Sequence, residues 1–578
     1  MIKVEPELWL DGMRWTDLQR PTRTSVVLSR DGRFMVYSAI AANPDAKAKP
    51  QLYLRRIDQS EAKAIAGTEG GVIPFLSPDD RWVGFWADGK LMKVSVDGGV
   101  PLMLCNVASL FGASWGLDDR IIFANAESSG LSRVSAEGGA PESLTTPDQT
   151  KQEYSHRLPY CLPDGKRVLF TIMGEAFDLH PRTALLDLKT RSWHVLVEDA
   201  ADARYVPTEH LVFLREGTLM AVPFDLRRGE VLGRPAPVIA NVMQALNIGW
   251  SPNNTAAGQF SISNSGCLVY AEGGINPDTQ TSLVWVDHQG RTEPIAPLKA
   301  PFFAPRLSPD GHEIAYTTVQ SENQAWVYDL SRGTASRLTS EGKAVFVTWT
   351  PEGKRLVFAW EKGASQNLYW QAADGSTAME RLTTSGYDQW PGSWSPDGAT
   401  LAFVQRIQDK VFDIFLLDLR SRRTTSFLHS GATLWYPEFS PDGRWMAYAS
   451  DESGRMEVYV RPFPGPGGKW LISRDGGSEP LWARNGKQLF YRWGVTGQEI
   501  WAVDIRIDGG LSAGKPRLLF EAPMLISGGV SRAWDLSPNG QRFLMVIRDE
   551  VKPVPVIEMV LVVNWFQELQ RLAPTAKK

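Results

Sequence analysis

Cysteine is scarce: Cys105, Cys161 and Cys267 are the only three in 578 residues, and no pair has a CxxC spacing. A disulfide framework and a cysteine-built metal centre are excluded as organising features, and buried free thiols are expected. Histidine is nearly as rare. His156, His180, His194, His210, His288, His312 and His429 lie far apart with no HExxH or other local ligand pair, so neither a metal nor a cofactor is predicted. No apolar run approaches the roughly 20 residues of a membrane helix, which argues against membrane insertion. The opening MIKVEPELWLDGMRW has acidic residues where a secretory signal needs a basic segment and then an apolar one. The expected location is the cytoplasm, or the periplasm if an export signal has been trimmed. Basic runs are missing too: 61 basic residues against 65 acidic give a formal net charge of −4, and no basic run precedes Lys577-Lys578. Nucleic acid is excluded as a partner.

Turn formers and large flat side chains are abundant, with Gly 51, Pro 38 and Trp 22. That composition suits many short strands, and the class is all-β. The stretch LWYPEFSPDGRWMAYASDESGRMEVYVRPFPGPGGKWLISRDGGSEPLW, Leu434 to Trp482, carries four strand signals. Pro441-Asp442-Gly443 joins the first two: proline presets φ, aspartate bonds its own backbone and glycine accepts φ > 0. Such a four-stranded meander exposes two apolar faces and two edges, so it needs neighbours of its own kind.

Equivalent turns recur at Asp31, Asp79, Asp118, Asp164, Thr208, Asn264, Asp310, Glu352, Asp397, Asp442, Asn485 and Asn539. The spacing is that of a propeller blade, about 40–50 residues. Twelve blades exceed the four to eight of a closed ring, and a second period of about 275 residues divides them. The expectation is two tandem six-bladed β-propellers, residues 1–275 and 276–563, with a short helical tail, 564–578, capped by Asn564. Rings close best when one blade combines strands from both ends. Leu8 to Leu18 is expected to complete the blade begun at Gln259 to Glu272, and Leu283 to Ala296 the blade begun at Ala533 to Asp549; contiguous blades are the alternative.

LSPDGHEIAY, WSPDGATLAF and FSPDGRWMAYAS resemble the repeats of the TolB-like, PD40 branch of WD40-like β-propellers. The whole chain, with its ending VLVVNWFQEL, is similar to the propeller region that follows the kinase domain in certain bacterial serine/threonine kinases. The resemblance implies a binding, scaffold or sensor role in a signalling system. It does not carry phosphoryl transfer, because no glycine-rich loop, HRD or DFG is present.

Gly112-Ala113-Ser114-Trp115-Gly116 matches the GxSxG nucleophile elbow but overlays a degenerate repeat turn, so Ser114 reads as an inner-strand residue. Fewer than forty residues follow Asn539, too few for a hydrolase domain. Glu153, His156 and Arg157 put an acid, an imidazole and a guanidinium just before an inner strand, where they could converge on a polar ligand or fasten neighbouring blades. In the second ring Phe302-Phe303, Trp390 and Trp435-Tyr436 with Glu438 suit a peptide or sugar contact. Trp349, Trp394 and Trp482, each one residue before the turn motif, read as core. The predicted function is a non-enzymatic binding or scaffold module for a protein or peptide partner, or for a small ligand or glycan. The alternative is a glycan-active lyase or hydrolase with a channel site assembled from several blades.

Overall fold

A computed structural model describes residues 2–3, 8–10, 21–41, 49–126, 128–151, 153–174, 180–246, 254–275, 281–318, 323–361, 365–408, 411–493, 497–508, 510–521, 531–548 and 556–575. The chain divides into two compact units, Met1–Pro277 with Val551–Lys578, and Asp278–Glu550.

The local unit is the expected turn. In Ser440-Pro441-Asp442-Gly443 the Ser440 hydroxyl donates to Asp442 Oδ1 at 2.6 Å and accepts Trp445 N–H at 3.0 Å, while Asp442 accepts Arg444 N–H at 3.1 Å. Gly443 has φ 68°. The same three bonds recur around Ser308 and Asp310, and around Ser395 and Asp397. Each turn joins the inner strand of a blade to its second strand, and antiparallel pairing continues outward.

Six sheets form the first unit: 26–64, 72–106, 113–143, 155–197, 201–239, and a sixth built around Phe260–Ile262 and Leu268–Tyr270. Apolar clusters join each sheet to the next. Val36 meets Val83, Phe75 meets Trp115, Ile122 meets Phe170, Leu169 meets Phe213, Val212 meets Phe260, and Val269 meets Met35. The last contact returns to the first sheet, so the ring is closed. The second unit repeats this from Ile314 with Leu283 round to Phe490 with Phe543. Each unit is a six-bladed β-propeller, with blades 1–6 in the first and 7–12 in the second, numbered by their inner strands.

Closure differs between the rings. In the second, Thr281–Asp287 pairs with Arg542–Arg548 along seven residues, so the unit's first strands complete its last blade. In the first, blade 6 is completed by Glu558–Val562, which pairs with Leu268–Tyr270, and by Ile2–Lys3 on its outer side. The tandem division 276–563 gave Glu558–Val562 to the second ring; its backbone bonds place it in the first. Leu8–Leu10 does not complete blade 6 either, because it pairs with Phe34–Ala41 of blade 1; residues 11–18 lie outside the described residues. The helix Trp565–Leu572 buries Trp565 and Leu569 in the cluster of blades 5 and 6. Asn564 makes no side-chain cap and sits at φ 56°; the helix is tied instead by Trp565 N–H to Gly266 O at 2.8 Å and by His210 Nε2 against Ala573 O at 2.6 Å.

Candidate functional site

Among the described residues eight inner strands carry a β-bulge near their middle, and five have proline there: Ile73-Pro74, Leu158-Pro159, Ala304-Pro305, Tyr436-Pro437 and Glu479-Pro480. The residue before each proline lies at φ between 47° and 61°. Proline costs no ladder bond at a bulge, and the extra residue re-aims the side chains beyond it. The strands therefore switch faces midway: Phe75 and Tyr160, each after the proline, line the first ring's cavity, whereas Leu481 joins the core between blades 11 and 12.

In the second ring this device gathers charge. Arg532 donates to Glu438 Oε2 at 2.7 Å and to Trp534 O at 2.9 Å, and lies 3.5 Å from Asp535 Oδ1. Arg306 donates to Arg532 O at 2.6 Å and Ser531 Oγ at 2.8 Å, and Asp535 Oδ2 accepts Leu307 N–H at 2.9 Å. Glu479 accepts from Arg492 at 3.2 Å and from Ala533 N–H at 2.8 Å. Three arginines thus meet three carboxylates from blades 7, 10, 11 and 12. Burial, aided by neighbouring Arg532, pushes Arg306 down to about 10, and burial pushes the Glu438 carboxyl up against the pull of Arg532. Every charged group in this network is engaged, so it acts as a knot across the channel. Of its members only Glu438 was a sequence candidate.

The aromatic candidates separate. Trp390 and Tyr436 are buried, Trp390 donating to Gln366 Oε1 at 2.7 Å. Trp435 is half-buried, with its ring 5.6 Å from Phe412, which is itself 5.7 Å from Trp390. Tyr387, just before strand Gln389–Trp394, is 52% exposed. Antiparallel alternation puts the starts of first and third strands on one face, so Tyr387, Phe412 and Trp435 share a mouth. Phe302 and Phe303 are core, as are Trp349, Trp394 and Trp482.

In the first ring Glu153 and His156 pair between blades 3 and 4, where both are buried. Leu131 N–H donates to Thr145 Oγ1 at 2.8 Å, Thr145 lies 2.8 Å from His156 Nδ1, and His156 Nε2 lies 3.0 Å from Glu153 Oε2. The chain is satisfied with the imidazole proton on Nε2. Burial works to raise the Glu153 carboxyl, but bonds from His156 and Asp148 N–H hold it below its usual range. Arg157 turns elsewhere, donating to Asn254 O at 2.8 Å and lying 4.4 Å from the Phe111 ring centroid. The three do not converge on one point.

All six inner strands of this ring line a cavity of about 430 Å³ on the turn side of the channel. Asp202 and Arg204 on its wall pair at 3.3 Å, and Arg204 also donates to Phe260 O at 2.7 Å. Ser114 Oγ accepts Cys161 N–H at 3.0 Å from the next blade, a structural stitch. Burial pushes the Cys161 thiol up to about 12, so it is held as the unreactive thiol. Among the described residues no group of three or more His, Cys, Asp or Glu is arranged to hold a metal ion.

The rings, turns and bulged inner strands define the chain as a β-propeller protein. Residues 276–412 match the family described as the TolB beta propeller domain, PD40. An uncharacterized protein of Agrobacterium fabrum is 30% identical over 164 residues, 27% of this chain and 54% of that protein. A TolB homolog of Chlorobium chlorochromatii is 36% identical over 101 residues, 17% of this chain and 22% of that protein. The chain thus spans about half the length of the first relative and under a quarter of the second. The solved structure of TolB from Acinetobacter baumannii is 14% identical, covers 77% of this chain and 81% of its own, and has a TM-score of 0.26. Among the described residues no helix is long and apolar enough to cross a membrane.

Proposed function

We propose that the chain is a non-enzymatic binding or scaffold module whose second ring contacts an extended peptide segment of a protein partner at Trp435 and Phe412. The family match supports a binding or scaffold role in general. The observation that carries the peptide reading is the half-exposed Trp435 and Phe412 pair beside the exposed Tyr387, at the mouth of a channel whose charged groups already bind one another. Rigid aromatic rings give large contact area at low entropy cost, and a peptide backbone lays its own alternating side chains across them. Glu438, spent on Arg532, frames this mouth rather than meeting the partner.

The test is binding of the whole chain to a peptide array and a glycan array, read with Trp435→Ala alongside. Peptide binding weakened at least about tenfold in the variant is expected, the cost of truncating an aromatic anchor. Selective glycan binding, or turnover of a glycan, would overturn the reading.

A further inference from the structure

Eight repeat turns keep glycine at their last position, at φ values from 66° for Gly165 to 78° for Gly311. Blade 2 does not: its turn is Ser77-Pro78-Asp79-Asp80, and Asp80 holds the left-handed conformation at φ 58°. An L side chain is strained there, and such strain collects at functional positions. Asp119 shows the same replacement in blade 3, at φ 55°, but is exposed. Asp80 instead turns into the first ring's cavity. Its Oδ2 accepts Arg30 N–H from blade 1 at 2.7 Å, while its Oδ1 is buried without a hydrogen-bond partner. Burial holds the carboxyl above its usual range. The Arg30 side chain lines the same cavity and is exposed; its positive charge acts on Asp80, and among the described residues its guanidinium makes no hydrogen bond or close ion pair.

We propose that the turn-side mouth of the first ring's channel binds a small 2-hydroxy or 2-amino acid, held by Arg30 and Asp80. A guanidinium whose N–H groups are unbonded fits a carboxylate, which it takes through two parallel N–H bonds. A buried carboxylate oxygen with no donor fits a hydroxyl or ammonium. Asp80 already bonds the backbone of Arg30, so both contacts fall within one residue's reach. The ligand must therefore carry its acid and its donor on neighbouring carbons. The rest of it faces Phe75, Tyr205, Leu226 and Leu117, the last 54% exposed at the rim. A branched aliphatic side chain suits that wall, and the cavity admits a molecule of this size but no folded partner. This site is independent of the aromatic mouth of the second ring.

The experiment is calorimetric titration of the full chain with L-leucine, L-2-hydroxyisocaproate and isocaproate, the last lacking the donor. At least one of the first two is expected to bind about tenfold or more tightly than isocaproate, the difference one charge-assisted bond makes. Arg30→Gln and Asp80→Gly should each weaken that binding by a similar factor. Asp80→Gly should melt at or above the wild-type temperature, because it restores the residue that eight of the turns use. Trp435→Ala should leave the titration unchanged, which keeps this test separate from that of the peptide contact. No binding, equal binding of all three acids, or undiminished binding in both first-ring variants would overturn the proposal. So would a lower melting temperature for Asp80→Gly, which would make Asp80 a turn fastener.

Discussion

The first ring keeps a cavity open along its inner strands, whereas the second draws an ionic knot across its channel; the first is closed by a strand from near the chain's far end, the second by its own opening strands. Both are built from one repeat, so the difference lies in the residues just past the bulges. Where Phe75 and Tyr160 come after the proline the channel wall is aromatic, and where Arg306 and Glu438 come after it the channel fills with charge. One scaffold thus yields a receptacle or a brace by changing single residues at a fixed place.

The sharpest way to break this comparison is to remove residues 551–578. The first ring then loses the strand beside Leu268–Tyr270 and the burial of Met559, Trp565 and Leu569. That loss should consume most of the roughly 5–15 kcal/mol that stabilises a domain. Calorimetry should show one of two melting transitions abolished and limited proteolysis should leave a resistant fragment near 278–550; two surviving transitions would mean the ring closes without this strand. Next in size is Glu479→Ala, which leaves Arg492 buried without that carboxylate where both side chains are 1% exposed. A cost of about 3–5 kcal/mol is expected, confined to the second transition. A loss below about 1 kcal/mol would show that the knot is dispensable.

The smallest effect concerns acid. Hydrogen bonds from Ser308 and from His312 N–H hold the Asp310 carboxyl below its ordinary 3.8. A depressed value means that its contribution is present above the unfolded value and is lost as pH falls through the lower folded one. Asp397 follows the same rule through Ser395, and Asp442 does so although its burial works the other way. The first ring has Asp31, Asp79, Glu142, Asp148, Glu153 and Asp187 in this state. Both transitions should therefore fall below about pH 4, the second in part through Asp310. Asp310→Asn should lessen that fall at a cost near neutrality of about 0.5 kcal/mol, since Asn539 already serves in blade 12, accepting from Ser537 at 2.8 Å. Melting curves from about pH 2 to 7 would detect it, and an unchanged acid slope of the second transition in Asp310→Asn would contradict it.

The blades were legible because their turns repeat a short chemical pattern whose bonds are local: Ser440, Asp442 and Gly443 specify their turn without help from elsewhere. The pairing of Leu283 to Ala296 with the last blade was legible from its likeness to a strand-turn-strand unit lacking inner partners. Glu558–Val562 was harder, because EMVLV has an apolar pattern that fits either ring and nothing local names its partner. The channel knot was hidden for a different reason. A bulge reverses which face a residue points to, so Arg306 and Glu438 cannot be placed by alternation from the strand start. The proline before each was the available signal. Glu153 and His156 were close in sequence and charged, yet they serve the packing between blades because Thr145 and Trp193 enclose them.

The route by which blade 6 is finished sets an order of events during synthesis. Val269 must find Leu561, nearly three hundred residues later, and closing so long a flexible loop is entropically costly, growing as the logarithm of its length. The intervening residues do not remain a flexible loop. Once Thr281 lies opposite Arg548, the second ring's two ends stand one strand spacing apart, about 5 Å. The long loop is then replaced by two short connectors. The ring made first on the ribosome is thereby locked last, and folding of the second ring supplies the proximity that locking requires.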